Sequence, residues 1–202
     1  MDQGHQRREH TPRLSVDALL VSTFVVAIAE IGDKTQLLSI FLAARFRKPV
    51  PIIAGILLAT LANHAAAAAL GQWVRAVLPA DTLRWLLGLS FLAVAAWALK
   101  PDRLEQEQSG RGSRLGVFVL TFIAFLLAEI GDKTQVATVM LAARYPSMVA
   151  VVLGTTLGMM LVNVQAVLLG QVATQRIPLT AIRLLAAGLF AAIGIAVLAG
   201  LG

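Results

Sequence analysis

Cysteine is absent from the 202-residue chain, tyrosine occurs once, and charged residues make up only 14% of it. Without cysteine there is neither a disulfide nor a thiolate metal site. A soluble domain carries roughly 25% charged residues. A chain that is 58% hydrophobic, with a mean hydropathy of +0.79, is too apolar for water. The polar–apolar alternation of a membrane β-barrel is also missing. Acids are scarcer than bases, 11 against 17, which leaves a net charge of +6. The basic residues lie mostly in short connections between apolar runs, as the cytoplasmic flanks of membrane helices do, so nucleic-acid binding is set aside.

What is present is a series of apolar runs, at about 16–44, 50–74, 81–99, 115–143, 149–173 and 178–200. Each suits the ~20 residues that a helix needs to cross a ~30 Å hydrocarbon core. Pro49, Pro51, Pro79, Pro101, Pro146 and Pro178 fall between runs or at helix starts, where a missing N–H costs little. The expected organisation is a polar N-terminal tail over 1–14, a first three-helix unit over 15–100, a linker over 101–114 and a second three-helix unit over 115–202. Arg7, Arg8 and Ala27-Ile28-Ala29 imitate a signal peptide with its cleavage site. The recurrence of Ala-Glu-Ile-Gly-Asp-Lys in mid-chain, where no signal peptide can be, argues against cleavage.

That recurrence is part of a duplication. Ala29 to Gln36 returns letter for letter as Ala128 to Gln135, an offset of 99. The same offset pairs Ser22 with Thr121, Ala44-Arg45 with Ala143-Arg144, Gly55 with Gly154, Gly71-Gln72 with Gly170-Gln171, Pro79 with Pro178, Arg84 with Arg183 and Phe91 with Phe190. An ungapped register of this length marks two copies of one unit. Three crossings per copy is an odd number, so the second copy enters from the opposite side. The expected fold is an all-α membrane protein of six transmembrane helices, built as two inverted three-helix repeats. Such repeats place a shared site near the midplane. Nine basic residues on the side of the 1–2, 3–4 and 5–6 connections, against six on the other, point to both termini outside.

Glu30 and Glu129 lie at the centres of their runs, with Asp33 and Asp132 three residues on. A charge at the centre of a membrane helix costs about 2.5–3.5 kcal/mol, so four acids need compensation. On a continuous helix Glu30, Asp33 and Lys34 share one face, and Glu129, Asp132 and Lys133 do the same. Lys34 and Lys133 would each neutralise one acid and leave negative charge for an added cation. Thr35, Thr134, Gln36 and Gln135 complete a hard oxygen environment that suits Ca²⁺ or Mn²⁺. Protons compete for crowded carboxylates in a low dielectric, so one site could hold either a divalent ion or protons. Gly32 and Gly131 are candidates for a helix break or for close helix contact. His64, whose repeat partner is Asn163, is either a core residue or a proton relay or ligand. Asn63, Gln72, Gln165 and Gln171 read as interhelical hydrogen-bonders, and Trp73 and Trp85 as interface anchors.

Glu-x-Gly-Asp-Lys-Thr, present twice on the first and fourth of six helices, resembles the calcium/cation antiporter family 2, also called the transmembrane-protein-165 family. The resemblance covers about residues 16–200. It implies exchange of Mn²⁺ or Ca²⁺ for protons, with Glu30, Asp33, Glu129 and Asp132 as the cation and proton residues. The chain has neither a long N-terminal extension nor a marked acidic central loop, so it looks like a compact prokaryotic member. Manganese export at the bacterial inner membrane is then the expected role. The partners implied are a divalent metal ion, protons and the lipid bilayer, with a homo-oligomer left open. No resident cofactor or enzymatic activity is expected. The alternatives are an exporter of small organic cations such as basic amino acids, or a passive divalent cation channel.

Overall fold

A computed structural model describes the backbone of residues 6–100, 114–169 and 179–200, with side chains from residue 15 onward except at 179, 182 and 183. Residues 101–113 of the expected linker over 101–114, and Gln171, lie outside the described residues. Those residues form eight α-helices and no strand: α1 (Gln6–Glu30), α2 (Lys34–Phe46), α3 (Pro49–Val77), α4 (Ala80–Ala98), α5 (Arg114–Glu129), α6 (Lys133–Arg144), α7 (Met148–Leu169) and α8 (Leu179–Leu198). Helix α1 begins inside the stretch expected as a polar tail.

The two longest apolar runs are each broken. Ser15–Glu30 meets Lys34–Phe46 at 69°, and Arg114–Glu129 meets Lys133–Arg144 at 70°. Both breaks fall at the glycine of the repeated motif. Gly32 has φ 80° and Gly131 φ 72°, a left-handed conformation in which a side chain is disfavoured. By length and composition α3 and α7 can each cross a membrane, and each bent pair adds one more span if it is counted as one. That gives two to four candidate spans against the six expected. Asp81 and Arg84 near the start of α4 interrupt its apolar sequence, and Leu184–Leu198 of α8 is apolar over a shorter length.

The helices pack reciprocally. α1 lies along α7 while α3 lies along α5, and α4 lies along α8. Residues 99 positions apart repeat one another's contacts. A Cβ on Gly55 would meet Thr121 Cβ at 2.9 Å, and a Cβ on Gly154 would meet Ser22 Cβ at the same 2.9 Å. Phe91 stacks on its own repeat mate, Phe190, at 6.3 Å between ring centroids, where α4 meets α8. Asn63 donates to the Leu126 carbonyl at 3.2 Å, and Gln72 to the carbonyls of Ala142 and Tyr145, so both tie helices across the repeat boundary. Trp73 and Trp85 are exposed on the outside. Symmetry is incomplete, because α6 is more deeply buried than α2: Phe41 of α2 is exposed, whereas its repeat mate Met140 of α6 is buried.

Between membrane helices lipid is as apolar as the side chains, so close backbone approach and dispersion hold the pairs together. Gly154 is such a point: a Cβ there would stand 2.5 Å from the Leu19 carbonyl oxygen of α1. Gly154→Val should destabilise the protein by about 1–3 kcal/mol through overpacking. Gly188, with nothing within 4 Å of an added Cβ, should accept alanine without loss. Thermal unfolding in detergent compares the two, and equal stability for both variants would contradict the close α1–α7 contact.

Candidate cation site

The polar letters of Glu-Ile-Gly-Asp-Lys-Thr-Gln, and its glycine, each have a place at the break. Glu30 and Glu129 are the last residues of α1 and α5, and the Asp33 and Asp132 amides donate back to their carbonyls at 3.0 and 3.1 Å. Asp33 and Asp132 are the N-caps of α2 and α6. A carboxylate there faces the positive end of the helix dipole. Gln36 and Gln135 reach back to accept from the Gly32 and Gly131 amides at 2.7 and 2.8 Å. This is close kin of the capping box, with the amide one residue earlier. Thr35 donates to Glu30 across the break. Thr134 Oγ1 lies 3.2 Å from both Glu129 and Asp132.

The two motifs face each other. Lys133 Nζ stands 3.1 Å from Asp33, and Lys34 Nζ stands 3.3 Å from Asp132, so each lysine pairs with the aspartate of the other copy. This differs from the helix-face expectation, in which Lys34 neutralises one acid of its own motif. The reason is the break, because Glu30 ends one helix and Lys34 begins another at 69° to it. Glu30, Asp33, Glu129 and Asp132 are all buried, and Glu30 is in electrostatic reach of both Glu129 and Asp132. The Gln36 and Gln135 amide oxygens are occupied by the glycine amides, so they secure the turn.

The glutamates also have different neighbours. Asn163 of α7 donates to Glu30 at 2.8 Å, and Ser39 of α2 in turn donates to Asn163 at 2.6 Å. On the opposite side His64 of α3 approaches Glu129, with Nε2 3.8 Å from Oε2. Glu30 Oε2 and Glu129 Oε1 are buried without a hydrogen-bond partner. Ser39 was not apparent in the sequence, and Asn163 appeared only as the repeat mate of His64. Their signal is spacing: Ser39 lies one turn after Thr35 on α2, and Asn163 is one of few polar residues in a largely apolar run. Among the described residues no three histidine or acidic side chains are already placed around one point as metal ligands.

Fold and site together define an integral, multi-pass membrane protein with a buried, paired-acid centre, the kind of intramembrane charge cluster that serves ion movement. The family model described as "Divalent cation/proton antiporter GDT1" matches residues 18–106 and 117–201. A protein of Vibrio cholerae serotype O1 named "Putative manganese exporter" is 55% identical over 176 residues, 87% of either chain. A rice protein (Oryza sativa subsp. indica) named "GDT1-like protein 3" is 28% identical, across 87% of this chain and 71% of its own length. No solved structure matches the chain. The chain belongs to the GDT1 family of divalent cation/proton antiporters, a transporter family, in agreement with the resemblance carried by the doubled motif.

The crossed pairs differ in depth. Lys133 is 6% exposed and Lys34 27%. Removing one partner of a buried pair leaves an uncompensated charge, at about 3–5 kcal/mol, whereas a partly exposed pair contributes much less. Lys133→Met should therefore destabilise the protein clearly more than Lys34→Met, and Asp33→Asn added to Lys133→Met should recover most of the loss. Unfolding temperatures of the three variants check this. Equal loss for the two lysine variants would contradict the difference in depth.

Proposed function

We propose that the chain exports a divalent cation, manganese in preference to calcium, in exchange for protons, through one site that its two repeats share. Six crossings serve this, as two inverted three-helix repeats: α1 with α2, α3 and α4 in the first, α5 with α6, α7 and α8 in the second. The reciprocal contacts of Gly55 with Thr121 and of Gly154 with Ser22 support that arrangement. The site consists of Glu30, Asp33, Glu129 and Asp132, with Lys34, Lys133, Thr35 and Thr134 around them, and Gly32 and Gly131 as hinges held by Gln36 and Gln135. The membrane is the bacterial inner membrane, with both termini outside.

One observation carries this reading. Glu30 and Glu129 each keep a buried carboxylate oxygen without a partner, between two lysine–aspartate pairs that already answer each other. Four carboxylates against two ammonium groups leave two formal negative charges, which one divalent cation or two protons balance. The donors are carboxylates and hydroxyls, hard oxygens that suit Mn²⁺ and Ca²⁺. The 55% identical relative named for manganese export favours Mn²⁺. The broken helices place the end of one half-helix and the start of the next at the site, as in transporters that work by alternating access. A change of bend at Gly32 or Gly131 moves a glutamate relative to its own aspartate and lysine. Bending and binding are thereby coupled.

The test is Mn²⁺ flux in proteoliposomes under an imposed pH gradient. The unaltered protein should move Mn²⁺ with proton counterflow. Glu30→Gln and Glu129→Gln keep shape and hydrogen bonding but lose the charge, and each alone should reduce flux to the level of empty vesicles. Normal transport by Glu129→Gln would contradict a shared site. A further expected outcome concerns acidity: apparent Mn²⁺ affinity should weaken as pH falls, because protons must leave before the ion binds. Mn²⁺ titrations at several pH values check it, and an affinity indifferent to pH would rule out competition.

A further inference from the structure

His64 and Asn163 stand 99 residues apart, at equivalent points of the duplication, yet their chemistry differs. Asn163 is fully engaged: its Nδ2 donates to Glu30, and its Oδ1 accepts from Ser39. His64 is not. Its Nε2 lies 3.8 Å from Glu129 Oε2, beyond hydrogen-bond reach, and neither ring nitrogen has a hydrogen-bond partner. The ring is fully buried. Thr60 Oγ1, one turn earlier on α3, and Glu129 Oε1 are buried without partners as well. Buried polar groups are almost always paired, so a cluster of unpaired ones calls for a physical cause.

Building on the cation reading of the site, we propose that His64 is a nitrogen ligand to the transported ion beside Glu129, and that it biases the site toward first-row transition ions such as Mn²⁺ over Ca²⁺ and Mg²⁺. The geometry allows this. At the bond lengths of zinc, a first-row ion, about 2.0–2.2 Å, two ligands of one ion can be no further apart than about 4.4 Å, and the imidazole nitrogen and the carboxylate oxygen, 3.8 Å apart, stand within that limit. Ca²⁺ and Mg²⁺ take oxygen ligands, whereas imidazole adds affinity for transition ions. An all-oxygen site would separate Mn²⁺ from the more abundant hard ions poorly. One nitrogen provides the difference. The first repeat offers none at the matching place, because Asn163 is committed to Glu30 and Ser39. The ion's nitrogen contact therefore lies on the Glu129 side, and the duplication is chemically unequal at the one position where selectivity is set.

The experiment uses the full chain in nanodiscs, titrated with Mn²⁺ alone and read by pulsed electron paramagnetic resonance, which detects nitrogen bonded to the metal. His5 and His10 are the only other histidines, so His5→Gln/His10→Gln leaves His64 as the single imidazole. In that background a ¹⁴N coupling to bound Mn²⁺ is expected, and it should change to the ¹⁵N pattern when histidine alone is ¹⁵N-labelled. His64→Gln should abolish the coupling and lower Mn²⁺ affinity by tenfold or more, since even partners one step removed from a metal are worth about 10–100-fold. Ca²⁺ affinity should stay unchanged, so the preference for Mn²⁺ falls by the same factor. Bound Mn²⁺ without any histidine coupling would overturn the ligand assignment and leave the proposed function standing. Coupling with an unchanged Mn²⁺/Ca²⁺ ratio in His64→Gln would overturn the role in selectivity. Failure of the unaltered protein to bind Mn²⁺ at all would overturn the manganese reading itself, and this inference with it. Isotope labelling needs no substitution at His64, so the assignment can be tested even if His64→Gln does not fold.

Discussion

Two lysines and two aspartates, paired crosswise between the halves of the chain, hold the site that everything else surrounds. Lys133 answers Asp33 and Lys34 answers Asp132, although each lysine is bonded in sequence to the other aspartate. Four carboxylates in an apolar interior would be prohibitive if left alone. Here two are N-caps that face helix dipoles and ammonium groups, and the other two accept from threonine hydroxyls. The exchange of partners makes neither half self-sufficient. An isolated repeat would bury two acids with a single lysine, in the wrong place to meet them. The duplication is thus bound together by charge as well as by packing.

The helix breaks and the crossed pairs depend on each other. On an unbroken helix Lys34 would lie one turn above Glu30 and neutralise its own motif. Glycine in the left-handed region ends the first helix, aspartate starts the second, and the turn between them redirects the lysine toward the opposite copy. Glutamine fastens that turn by accepting from the glycine amide. The aspartates and threonines therefore have two duties, one in the local turn and one at the site. In the proposed exchange, a movement at either break would alter the pairing and so couple a change of shape to ion occupancy.

Much of this was legible in the sequence, and the rest was hidden for identifiable reasons. Composition and apolar runs give an all-helical membrane protein, and the ungapped offset of 99 gives the duplication. Family membership follows from the doubled motif and agrees with the family match. The partner of Lys34 was not legible, because periodicity assumes a continuous helix. Asp-Lys-Thr-Gln is itself an N-terminal capping signature, however, and read as such it locates the start of α2 and of α6. Ser39 could not be found by motif, since its role depends on α7 lying against α2.

The departures from symmetry matter as much as the duplication. α6 is more deeply buried than α2, Lys133 is deeper than Lys34, and histidine replaces asparagine beside one of the two glutamates. A single shared ion needs no strict symmetry, only that both halves contribute. The number of ions bound tests this most directly. Equilibrium Mn²⁺ binding to the purified chain, with released protons counted by calorimetry in buffers of different ionisation enthalpy, should give about one ion per chain and about two protons per ion. Two independent ions per chain, one for each motif, or binding without proton release, would contradict the shared site.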